Sequence, residues 1–144
     1  MDKIFNLEFI IKFIKFGIIG TVLFGFDATC FWLLIKLIGI AEVARVISVT
    51  LAMALSWWLN RRFTFHADQA SMSWAEMFKF MASQLPGACL NALVSVLAFH
   101  YFVFAPHNPW VATAFGSCAG LIVNFCMANF LIFNKKRAAP VTTP

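Results

Sequence analysis

Four apolar runs fill most of this chain, at residues 16–35, 43–59, 77–104 and 109–133. About 20 apolar residues are needed to cross the ~30 Å hydrocarbon layer of a bilayer. Four crossings therefore use most of the 144 residues, and the chain reads as an all-α, polytopic membrane protein. Composition excludes the alternatives. Only 12% of the residues are charged and 62% are hydrophobic, against about 25% charged in ordinary soluble domains. The mean hydropathy of +0.84 agrees. A soluble domain, a disordered chain and a small disulfide-stapled secreted fold are ruled out. No room remains for one membrane anchor plus a separate catalytic domain.

The basic residues set the expected orientation. Lys3, Lys12 and Lys15 precede the first run. Arg61, Arg62 and Lys79 flank the second connection, and Lys135, Lys136 and Arg137 follow the fourth run. With four crossings these fall on one side, and only Lys36 and Arg45 fall on the other. The positive-inside rule then puts both termini and the loop around Asp68 in the cytoplasm. The net charge of +5 reads as topology and contact with anionic lipid heads, with no nucleic-acid partner. Glu8, Lys12 and Lys15 make a polar stripe at helical spacing, which predicts an amphipathic lead-in along the cytoplasmic interface. The same stretch has a long apolar run and no A-x-A site, so it does not read as a signal peptide.

Local signals mark the helix ends. Ser73-Trp-Ala-Glu76 has capping-box spacing before the third helix, and Asn108-Pro109 suits an N-cap and first turn for the fourth. Pro86 predicts a kink within the third. The four cysteines, Cys30, Cys89, Cys118 and Cys126, lie in apolar stretches without CxxC or a neighbouring histidine. They predict neither disulfides nor a metal site. No P-loop, GxSxG or HExxH is present, so the chain reads as a non-enzyme without cofactors.

The two halves repeat. Lys15-Phe16 matches Lys79-Phe80, and at the same offset Asp27 matches Asn91. Further along, Ala44, Ser48, Ala52 and Ser56 match Ala112, Gly116, Gly120 and Asn124, and the endings at Phe65 and Phe133 align. The expected organisation is one membrane domain, residues 1–137, with parallel repeats at about 13–65 and 77–133 and a disordered tail at 138–144. Ala44, Ser48, Ala52, Ser56, Gly116 and Gly120 form small-residue stripes, which predict close packing of the second and fourth crossings.

Polar residues at depth are the candidate site. Asp27 lies near the middle of the first crossing, where an acid costs about 3 kcal/mol on insertion scales. Asn91 stands at the equivalent place, and the two could line one polar zone. Arg45, near Glu42, can snorkel or pair with that acid, or contact an anion in the outer leaflet. Asn60, Arg61, Arg62, Lys15 and Lys79 could gather around a phosphate at the other face.

Phe16-Gly-Ile-Ile-Gly20, then Asp27, resembles the start of the first crossing of the GtrA-like family. Ser56-Trp-Trp-Leu-Asn60-Arg61-Arg62-Phe-Thr-Phe65 resembles the Arg-Arg-aromatic end of that family's second crossing, and Asn124-Phe125 with Phe133 resembles its second copy. The resemblance runs from about residue 13 to 133. It implies movement of polyprenyl-phosphate-linked sugars, such as bactoprenol-linked glucose, across the bacterial inner membrane for glycosylation of surface polysaccharide. It carries Asp27, Arg45, Asn60, Arg61, Arg62 and Asn124 over as substrate-contacting positions. Ala128, Asn129 and Phe130 stand where the second copy would have Asn-Arg-Arg, a departure from symmetry. The expected partners are the lipid-linked sugar, membrane lipids, a membrane glycosyltransferase and further copies of the chain. Two other readings are kept: a proton-coupled exporter of hydrophobic cations using Asp27, and a non-transporting scaffold for a glycosyltransferase.

Overall fold

The computed structural model describes residues 7–67, 72–101 and 109–133. The described residues are helical and contain no strand. Helix α1 spans Leu7–Ile38, and α2 spans Ala41–Leu59 and runs into a π-helical turn at Asn60–Thr64. Helices α3 (Trp74–Ser83) and α4 (Leu85–Tyr101) follow, and α5 (Pro109–Met127) ends in a second π turn at Ala128–Ile132. Four helical stretches are long and apolar enough to cross a membrane: Leu7–Ile38, Ala41–Thr64, Trp74–Tyr101 and Trp110–Ile132. The chain is a multi-pass, all-α membrane protein. The loop at Asp68, the Asn108 cap and the basic tail lie outside the described residues.

The amphipathic lead-in is part of α1 and joins the crossing without a break. No proline or cap motif interrupts it, and Lys12 pairs with Glu8 one turn away at 2.6 Å. Farther in, the hydroxyls of Thr21 and Thr29 donate to the carbonyls of Gly17 and Gly25 at 3.0 and 2.8 Å. These bonds satisfy polar groups inside an apolar helix. Gly39 ends α1 at φ +75°. Its N–H bonds the Ile35 carbonyl at 3.0 Å, a left-handed C-terminal stop that glycine adopts without a Cβ penalty.

The close of α2 is built by side chains. Asn60 donates to the Ser56 carbonyl at 3.0 Å and accepts from Thr64 Oγ1 at 3.0 Å. The Phe65 N–H reaches five residues back to the Asn60 carbonyl at 2.9 Å, and the Ala67 N–H six back to Arg61 at 3.0 Å. His66 supplies the left-handed residue at φ 48°, at a position usually held by glycine. The second π turn closes in the same way, with Phe133 N–H to the Ala128 carbonyl at 3.0 Å. The two turns start at Asn60 and Ala128, matched positions of the repeat. The duplication thus extends to an uncommon backbone feature.

The third crossing begins with half of the expected capping box. Ser73 Oγ accepts from the Glu76 N–H at 3.2 Å, while the Glu76 carboxylate is engaged elsewhere. The helix is interrupted at Gln84, two residues before Pro86, because proline supplies no N–H and its ring crowds the preceding turn.

By backbone contacts the chain forms two compact units that divide after Met81. In the first, α1 and α2 form a hairpin. In the second, α4 and α5 do so, and the fit is close enough to require glycine. A Cβ added at Gly120 would lie 2.7 Å from the Gly87 carbonyl oxygen and 2.9 Å from Asn91 Cβ. A Cβ at Gly116 would overlap Ser95 Oγ and Asn91, and one at Gly87 would overlap the Asn124 amide oxygen. The α5 stripe is therefore filled by α4 of its own hairpin. This corrects the expectation that the second crossing occupies it: the residues implicated are those expected, but the neighbour is the preceding helix. Close approach of backbone to carbonyl and amide oxygens brings Cα–H···O contacts, which in lipid supply part of what apolar burial supplies in water.

A charged site in the first hairpin

The matched positions Asp27 and Asn91 have different surroundings. Asn91 Oδ1 accepts from Ser95 Oγ at 3.2 Å, one turn on, and its side chain faces Gly116 and Gly120 in the helix seam. Asn124 Oδ1 is buried against Gly87 and accepts no conventional hydrogen bond among the described residues. Both amides expected to meet substrate are placed in the packed seam of the second hairpin.

In the first hairpin the corresponding residue is an acid with a partner across the turn. Arg45 Nη1 donates to Asp27 Oδ2 at 2.9 Å. The arginine therefore bonds Asp27 of α1 rather than Glu42, its neighbour in sequence. Its guanidinium also lies 5.6 Å from the ring of Phe31, one turn beyond Asp27 on the same face of α1. The pair is asymmetric in exposure, with Asp27 at 15% and Arg45 at 54%. The second carboxylate oxygen, Asp27 Oδ1, is buried and accepts no hydrogen bond among the described residues. An acid inside a spanning helix is thus held by an arginine whose side chain stays half exposed. A guanidinium has five N–H donors and suits bidentate contact with phosphate.

The residues expected around a phosphate at the other end have separate roles. Arg61 is 1% exposed and pairs with Glu76 of α3. Trp57 Nε1 donates to the same carboxylate oxygen at 3.2 Å. Asn60, also buried, is used within its own turn. Lys15 donates to the Phe63 carbonyl at 3.3 Å, one of the acceptors that a helix end leaves open. Arg62 is exposed and lies 6.0 and 5.8 Å from the rings of Trp58 and Phe63, with Lys79 also exposed. Sequence reasoning missed Glu76 as a partner of Arg61, and Trp57 as a second donor to the same carboxylate. The signal was an acid in the first turn of the third helix, where it read only as a capping residue.

Ala44 and Ser48 are fully buried, Ala52 is buried and Ser56 is partly so. Ser48 bonds back to the Arg45 carbonyl at 3.1 Å. The buried α2 stripe thus runs alongside Arg45 on the same helix.

A search of curated proteins returns no match. A protein-family comparison matches residues 12–133 to the GtrA/DPMS transmembrane domain, nearly the span over which the motifs repeat, and the chain belongs to that family.

Proposed function

We propose that this protein moves a polyprenyl-phosphate-linked sugar across the bacterial inner membrane, to be used in glycosylating cell-surface polysaccharide. It works as a non-catalytic carrier, one membrane domain of residues 1–137 with both termini in the cytoplasm. The observation that carries this reading is the Asp27–Arg45 pair, with the arginine side chain half exposed on a membrane-spanning hairpin. Membership of a lipid-linked sugar flippase family supports it.

The physical task fits a small helical protein. The polyprenyl tail stays in the bilayer, so only the phosphate and sugar need a polar route. A lateral foothold for an anion is sufficient, and a wide pore is not required. Arg45 attracts the phosphate, and Asp27 keeps the arginine neutralised and oriented until the phosphate arrives. Without that counter-charge a guanidinium in this setting would be costly. Asn60, Arg61, Asn91 and Asn124 support this role by fixing helix geometry, while Arg62 faces the cytoplasmic lipid heads. Assembly with further copies enlarges the interior available to the sugar.

Cation export fits less well, because the one deep acid is already held by an arginine that would repel a cationic cargo. The test is reconstitution of the purified chain in liposomes with a fluorescent polyprenyl-phosphate sugar in both leaflets. The expected result is faster access of the inner-leaflet pool to an external reductant. A rate equal to protein-free liposomes would reject translocation and favour a scaffolding role beside a glycosyltransferase.

A further inference from the structure

In the first unit a cavity of about 290 Å³ lies between the start of α1 and the end of α2, at the end that the topology proposed above puts in the cytoplasm. It is lined by Leu7, Glu8, Ile11, Lys12, Lys15, Thr64 and His66. We propose that this cavity binds the phosphate of a membrane amphiphile through Lys12, Lys15 and His66. It is separate from the Asp27–Arg45 pair and does not depend on the role assigned to that pair.

Three observations support it. The first is depth. Helix α1 has 32 residues, or about 48 Å at 1.5 Å per residue, which exceeds the hydrocarbon layer. The apolar run at residues 16–35 is long enough to fill that layer by itself, which leaves the opening turns of α1 for the level of the lipid phosphates. The second is the donor set. Lys12 and Lys15 belong to the lining, and Glu8, the one acid among its described residues, is bonded to Lys12 at 2.6 Å. Lys15 gives one hydrogen bond to the Phe63 carbonyl and has three ammonium hydrogens to give. The third is His66. The backbone at this residue turns left-handed at φ 48°, where glycine would be relaxed and a side chain is strained. The chain carries there an imidazole that lines the cavity and provides an N–H donor even when neutral. Leu7 and Ile11 complete the lining with apolar surface, so a phosphate borne on a lipid suits the cavity better than a free one.

The experiment uses the full chain in phosphatidylcholine nanodiscs, with binding measured for three probes: polyprenyl monophosphate, phosphatidylglycerol and inorganic phosphate. Binding of the first identifies the site as a substrate entry point, and binding of the second alone identifies it as an anionic-lipid site. The Lys12→Gln/Lys15→Gln variant should bind the preferred lipid about tenfold more weakly or worse, since hydrogen bonds to charged groups are being removed. His66→Gly separates structure from recognition: it should raise the melting temperature by relieving the backbone while weakening lipid binding. Glu8→Gln releases Lys12 and should tighten binding, a gain that a misfolded variant cannot show. The proposal is overturned if neither lipid binds above the phosphatidylcholine background or if inorganic phosphate binds as tightly as the lipids. Unchanged affinity in both the lysine and the histidine variants also overturns it.

Discussion

Arg61 is a cation at a position 1% exposed, and it pairs there with the carboxylate of Glu76. Breaking a buried ion pair by removing one partner costs about 3–5 kcal/mol. Glu76→Ala should therefore lower the melting temperature sharply. Arg61→Met combined with Glu76→Leu should recover much of that loss, because an apolar replacement of both partners is often neutral or better. A single variant that melts like the parent would show that the ion pair contributes nothing. Contacts of this kind were hidden in the sequence. Arg61 and Glu76 are separated by a polar loop, and no periodicity links them. Asp27 and Arg45 lie twelve residues before Gly39 and six after it, so equal counting from the turn does not pair them. What the sequence did show was the cost: an acid in the middle of an apolar run requires a partner. The left-handed His66 was invisible for a different reason, since a histidine gives no turn signal. Replacing it with glycine should stabilise the fold by about 1 kcal/mol, the usual order for relieving such a conformation.

At the level of helices, the duplication was legible because both copies conserve spacing between their own matched residues. Its strongest structural echo is the π turn at Asn60 and again at Ala128. The small-residue stripe was legible as a packing face, but its partner was not, because small spacing identifies a face and not what lies against it. Position 87 helps to explain why the copies differ. Gly87 lets α5 approach α4, whereas Leu23 stands at the matched place in α1 and is buried. The second hairpin is a tight seam, and the first keeps its polar pair at its side. Two glycine substitutions test this contrast. Gly120→Ala puts a methyl 2.7 Å from a backbone carbonyl and should cost about 1–3 kcal/mol by overpacking. Gly20→Ala meets nothing within 4 Å and should be neutral or stabilising by up to about 1 kcal/mol, since alanine favours the helix. Equal melting temperatures for the two variants would mean that the α4–α5 seam is not closely packed.

For the whole molecule, the all-α membrane fold was legible from apolar length alone, because four runs of this size in 144 residues leave no other solution. Orientation is a separate property, set by basic residues that flank the helices. In a cysteine-free background, Asp68→Cys should resist an impermeant maleimide in intact cells and react after permeabilisation. Ready labelling of intact cells would reverse the proposed topology. The proposed function rests on the sign of charge at one place. The most direct measurement is the translocation rate of a polyprenyl-phosphate sugar in liposomes bearing the parent chain, Arg45→Ala or Asp27→Asn. Loss of the guanidinium should cut the rate about tenfold or more, the order expected for a charge-assisted phosphate contact. Asp27→Asn keeps a hydrogen-bond acceptor for Arg45 and should retain part of the rate. An Arg45→Ala protein as fast as the parent, with Asp27→Asn inactive, would contradict an anion-carrying role for this pair.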